Sequence, residues 1–117
     1  MQFHPAVAPA PGEVVIGKTA SDAFHETPLQ AELQRRGVKA VVVTGMQTEY
    51  CVDTTCRRAI SLGFDVTLVA DGHTTRDGSM AAADVIRHHN AVLPGLAHPT
   101  HHVTVVRGDD VRFEGTP

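Results

Sequence analysis

The chain has 117 residues, enough for one domain of the usual size. Lys and Arg are scattered and the formal net charge is −3, so charge gives no reason to expect nucleic acid or an anionic membrane as partner. No apolar run approaches the ~20 residues of a membrane span, and Met1 to Pro5 has neither the basic nor the apolar region of a signal peptide.

In chain order, residues 1–13 are rich in Pro and Ala and read as an extended approach segment. Residues 13–18 read as a short strand ending at Lys18. Thr27-Pro28 then opens a helix, with Thr27 as N-cap and Pro28 at the first helical position. Leu29, Leu33 and Ala31 supply its apolar face, and Gly37 stops it. Residues 38–44 form a near-continuous β-branched run, the pattern of a strand covered on both faces.

A helix is predicted over about 50–62, with Val52, Thr55, Cys56, Ala59 and Ile60 at helical spacing and Gly63 as its C-cap. Residues 65–70 are the next strand and 71–78 a polar loop. A helix over 79–93 carries Ala82, Val85, Ile86, His89 and Leu93 near one face, and Pro94-Gly95 ends it. Residues 102–106 are a last strand, followed by a turn at 107–110 and a frayed tail. Strands alternating with helices imply an α/β fold with a parallel sheet in one domain spanning 1–117. No Gly-x-Gly-x-x-Gly follows a strand, so no dinucleotide site is expected.

The placement of Cys51 is the chemical signal. A strand stops at the Gly45 bend and launches a helix, which puts Cys51 at the carboxyl edge of a parallel sheet, where open α/β folds bind ligands. The partial positive charge of a helix start favours thiolate over thiol. Cys51 therefore reads as a nucleophile, the alternative being core packing. Cys56 lies five residues on, on another face of the helix, so Cys56 reads as core and no disulfide joins the two. Unpaired cysteines suggest a reducing, cytoplasmic setting. Thr48 and Glu49 read as caps of the helix start. Asp53 and Arg57 form an i,i+4 pair. Asp71 reads as a turn residue at the ligand edge, and His98, His101 and His102 as an exposed loop rather than a metal site.

Three motifs together resemble those of the isochorismatase-like cysteine hydrolases, a family that includes amidases and nicotinamidases. They are residues 11–18 ending in Lys18, then Asp22-Ala23-Phe24 with Thr27 and Leu29, then Gly45-Met46-Gln47-Thr48-Glu49-Tyr50-Cys51-Val52. Val69-Ala70-Asp71 and His88-His89-Asn90 continue the likeness, which runs from about residue 4 to residue 106. The resemblance implies a three-layer α/β/α sandwich and cleavage of a C–N amide bond in a small molecule through a Cys51 thioester. It implies Lys18 as the residue that assists Cys51, and an oxyanion hole from the backbone N–H groups of Gln47 and Cys51. It also implies a cis peptide at Met46-Gln47 and a substrate pocket bordered by Phe24, Tyr50 and His25.

No cofactor and no metal ligand set is implied for these residues, and assembly as a homo-dimer or tetramer is expected. The family's general acid/base Asp, on a first strand ending Asp-x-Gln, has no counterpart here. The expectation is thus a chain lacking the family's first strands, with the 38–44 strand left as a sheet edge. An inactive remnant that acts through association with another chain is the competing reading. A thiol-sensing role for Cys51 with Cys56 is a third.

Overall fold

The computed structural model describes residues 8–113; residues 1–7 of the approach segment and residues 114–117 of the tail lie outside the described residues. Six regular elements follow in the order α1 (Leu29–Arg35), β1 (Ala40–Met46), α2 (Asp53–Ser61), β2 (Asp65–Thr74), α3 (Ala82–Val92) and β3 (Val103–Val106). The three strands form one parallel sheet in the order β1-β2-β3. This is the expected α/β class, and among the described residues β1 stands at the end of the strand order.

Alternation along the strands builds the core. Val41 pairs with Val66 and Val43 with Leu68, while Val66 and Leu68 pair with Val103 and Val105. These six side chains share a face, because residues two apart in a strand point the same way. Against that face α2 lays Cys56, Ala59 and Ile60, at the i, i+3, i+4 spacing of one helical stripe. Phe64, Leu93 and Phe24 close the same cluster, with the Phe24 and Phe64 rings stacked at 6.0 Å. Helix α1 adds Leu29 and Leu33 at the rim.

Several expectations are corrected. Residues 13–18 form no strand, and Val14 and Val15 stay about half exposed, at 50% and 54%. The three-residue apolar run Val14-Val15-Ile16 is not enough without a neighbouring strand, and none of the described residues supplies one to take its N–H and C=O groups. No residue of β1 is fully buried, so it is not covered on both faces. Pro28, not Thr27, holds the N-cap position of α1, and the Thr27 hydroxyl instead donates to Ala23 O at 2.6 Å. Helix α3 starts three residues later than expected, where Asp77 accepts the Ala82 N–H at 2.8 Å. Gly63, with φ +91°, follows α2 in the left-handed conformation that a side chain disfavours.

The largest departure is in β2, which runs on through Thr74 into what reads as a polar loop. Between the pairs Val43–Leu68 and Gly45–His73, β1 advances two residues while β2 advances five. Residues 69–72 bulge out of the ladder, and His73 and Thr74 return to pair with Gly45 and Met46. No helix of the described residues is long and apolar enough to cross a membrane.

Candidate active site

The carboxyl end of β1 carries the site. The Met46–Gln47 peptide bond is cis, and the chain then enters a five-residue π-helical turn, Thr48–Val52, that leads directly into α2. Within it the Gln47 carbonyl accepts the N–H of Tyr50 at 3.1 Å and of Val52 at 3.2 Å. The helix therefore begins two residues before the expected start, and its first turn is wide. Cys51 lies in this wide turn, half-buried and reduced.

Lys18 reaches Cys51 from the irregular segment that precedes α1. Its ammonium stands 3.3 Å from Cys51 Sγ and donates to Ala20 O at 2.8 Å. The segment is anchored to α2 by Thr55, whose hydroxyl accepts the Ala23 N–H at 3.1 Å and donates to Ser21 O. Asp22 adds an ion pair with Arg58 at 3.7 Å. So two residues far apart in sequence meet through contacts made by α2 itself. An ammonium at this distance stabilises negative charge on sulfur.

The other named residues are placed differently from one another. Gln47 lies immediately after the cis bond, with Cys51 four residues on, so their backbone groups belong to one turn. Tyr50 is exposed beside Cys51, and His25 is exposed with Glu26 3.9 Å away. Phe24 is only 8% exposed and is spent on the core against Phe64, so it packs under the site rather than opening on it. A cavity of about 330 Å³ lies alongside, lined by Val14, Ile16, Lys18, Ala23, Leu29 and Leu33, with Glu32 and Arg36 also at its wall. Lys18 is shared between this cavity and Cys51.

Thr48 and Glu49 do not cap the helix start, which has no side-chain cap. Thr48 is fully buried and donates to His73 Nδ1 at 2.8 Å. Glu49 accepts from the Thr75 hydroxyl at 2.5 Å, which holds its carboxyl below the usual range. His73 was legible only as part of a polar loop. It is buried because the β2 bulge returns it to the sheet, and alternation counted along the chain cannot register a bulge.

Cys56 is fully buried, and burial pushes its thiol up to about 12. That is the behaviour of an inert core thiol. Asp71 lies within the β2 bulge rather than in a turn, and it accepts the Gly108 N–H at 2.7 Å, which ties the bulge to the segment after β3. His98 Nδ1 accepts the N–H of Thr100 and His101, which leaves its proton on Nε2. Among the described residues no three His, Cys, Asp or Glu side chains stand together as a metal ligand set.

Comparison with known proteins bears on this arrangement. Residues 1–98 match the profile of the Isochorismatase domain. The chain is 42% identical to a streptothricin hydrolase of Streptomyces noursei over 76 residues, which is 65% of this chain and 28% of that protein. It is 44% identical to a ureidoacrylate amidohydrolase of Methylobacterium radiotolerans over 52 residues, 44% of this chain and 20% of that one. Among solved structures, an isochorismatase from Pseudomonas putida superposes with a TM-score of 0.84 at 32% identity, covering 95% of this chain and 57% of its own. The chain thus spans well under two thirds of the length of each.

Proposed function

This chain belongs to the isochorismatase family of hydrolases, and from that premise we propose that it is a cysteine hydrolase acting on the C–N amide bond of a small molecule through a Cys51 thioester. The observation that carries the reading is the 3.3 Å contact between Lys18 Nζ and Cys51 Sγ at the carboxyl edge of the sheet. The similarity to a ureidoacrylate amidohydrolase favours an amide as the bond cleaved.

In this reading the Cys51 thiolate, with the Lys18 ammonium as its counter-charge, adds to the amide carbonyl carbon. The oxyanion faces the N–H groups of Gln47 and Cys51. Collapse of the tetrahedral intermediate breaks the C–N bond; the nitrogen leaves with a proton, and the acyl group stays on sulfur as a thioester. Water then cleaves the thioester, releasing the acid and restoring the thiol. A positioned general acid and base is needed for both halves, and it contributes about 10²–10⁴ in rate. Among the described residues, the hydrogen bonds of Lys18 go to Ala20 O and Cys51 Sγ, not to a carboxylate. The acyl-enzyme is the species to look for, because a thioester on Cys51 is read directly as an added mass.

The test is intact-protein and peptide mass spectrometry after incubation with a panel of small primary amides. The expected result is an acyl adduct on the Cys51 peptide that Cys51→Ala abolishes. Absence of any adduct, with Cys51 still alkylated readily by iodoacetamide, removes the amidase reading.

A second reading has its own observation. Among the described residues β1 has a strand partner on one side alone, and Val14 and Val15 are exposed. An apolar edge of this kind pairs with another chain, so self-association is proposed alongside the catalytic role.

A further inference from the structure

A buried chain of polar side chains lies behind the nucleophile turn, and the chemistry above does not use it. His73 is 4% exposed and is bonded at both ring nitrogens. Its Nδ1 accepts from the Thr48 hydroxyl at 2.8 Å, and its Nε2–H donates to Asn90 Oδ1 at 2.8 Å. Asn90, on α3, donates its own amide to Ala70 O of β2 at 3.1 Å, which fixes the orientation of that amide. The order of donors is then set throughout: Thr48 to His73, His73 to Asn90, Asn90 to the backbone. A neutral ring protonated on Nε2 satisfies every group.

Two residues after His73, just past the end of β2, Thr75 donates to Glu49. So Thr48 and Glu49, the first two residues of the wide turn that holds Cys51, are each tied to the end of β2. The backbone is tied there too, where Thr74 pairs with Met46 beside the cis bond. Burying a hydroxyl and an imidazole costs free energy unless both are fully bonded, so this network has one low-energy arrangement rather than several. Apolar residues would fill the space as well, but they would not fix the rotation of Thr48 about its side chain, and hence the phase of the turn.

We infer that His73 and Asn90 are positioning residues for the nucleophile, acting through Thr48 to hold the Cys51 turn in the orientation that keeps Sγ beside Lys18. The inference rests on the amidase reading of Cys51. His73 touches neither Cys51 nor substrate in this scheme; its effect is transmitted by one hydrogen bond.

The experiment measures the iodoacetamide alkylation rate of Cys51 at pH 7 in the full chain, resolved from Cys56 by peptide mass spectrometry, with N-acetylcysteine as the free-thiol standard. Thiolate is the reacting species, so a poised Cys51 is expected to react about tenfold faster than the standard. Thr48→Val keeps the shape and removes the hydroxyl; Thr48→Ser keeps the hydroxyl. The expected result is a drop of about tenfold in Thr48→Val, the size of effect that misplacing a reacting group produces, with Thr48→Ser close to the parent. Cys56 stays protected in both, which reports an intact core and separates positioning from unfolding.

A Thr48→Val rate equal to that of the parent, with Cys56 protected, overturns the inference and leaves the amidase reading standing. Should Thr48→Val expose Cys56, Asn90→Ala decides instead, because Asn90 is only half-buried: a matching drop supports the inference and an unchanged rate overturns it. A parent Cys51 that reacts no faster than N-acetylcysteine overturns the amidase reading, and this inference with it.

Discussion

Lys18 and Cys51 are 33 positions apart, and their contact is the one on which the chemistry turns. Lys18 is exposed, so its charge is partly screened and its contribution to stability is small. Its contribution to reactivity is larger, because it acts on a charge that forms on the adjacent sulfur. Lys18→Met is expected to lower the pH 7 alkylation rate of Cys51 about tenfold while leaving the thermal midpoint nearly unchanged. Cys56 gives the opposite case. Its thiol is held at about 12 by burial, against about 8.5 in an unfolded chain. The folded pKa is raised, so the stability it contributes is fully present below pH ~8.5 and is lost as pH rises toward the folded value. Between pH 8 and 10 the urea midpoint is expected to fall, and in Cys56→Ala that part of the fall disappears. Cys56→Ala itself costs about 1–2 kcal/mol at pH 7 through the space it leaves.

At the scale of elements, β2 organises the molecule. It pairs with both other strands, bulges over 69–72, and returns to support the turn that holds Cys51. Gly72 permits the bulge: a Cβ there would stand 2.8 Å from Val69 Cβ and Cγ1. Gly72→Ala is expected to cost about 1–3 kcal/mol by overpacking and to displace His73, so that Cys51 alkylation slows while Cys56 stays protected at moderate urea. The two ends of the β2–β3 pair are held by carboxylates. Asp65 accepts the His102 N–H at 3.0 Å and faces His101 Nδ1 at 3.2 Å, while Asp71 accepts the Gly108 N–H. The backbone N–H of His102 holds the Asp65 carboxyl below its usual range, and that of Gly108 does the same for Asp71. A lowered folded pKa contributes stability above the unfolded carboxylate value and loses it as pH falls through the folded one. The thermal midpoint is therefore expected to drop below about pH 4. Asp65→Ala should flatten part of that drop, at a cost of about 0.5–1 kcal/mol at pH 7 for the exposed hydrogen bonds removed.

For the whole molecule, the side of β1 that carries no strand among the described residues is the feature that reaches beyond the fold. Val42 points away from the face that packs on α2, whereas Val41 and Val43 point into it. Self-association through this edge is expected to give a mass in analytical ultracentrifugation that rises with concentration. Val42→Lys, a charge on an edge strand, is expected to return the chain toward monomer without unfolding it. A monomer at all concentrations in the parent chain would discard the edge as an interface.

Whatever rests on local periodicity and short motifs is legible before any folding is considered. The α2 stripe of Cys56, Ala59 and Ile60, the succession of strands and helices and Gly63 after α2 are legible because each is encoded within a few residues of itself, whereas the pairing of Lys18 with Cys51 is legible only through the resemblance of their two motifs to one family. The remaining features depend on partners distant in sequence. Whether 13–18 becomes a strand depends on a neighbour that its own residues do not supply. Phe24 was read as bordering a pocket and instead packs on Phe64, since a phenylalanine's partner lies forty positions away. The role of His73 was hidden for the same reason. A polar residue after a Gly reads as loop until the strand it belongs to bulges and returns, and then its two nitrogens find Thr48 and Asn90 on elements that come together only in the fold.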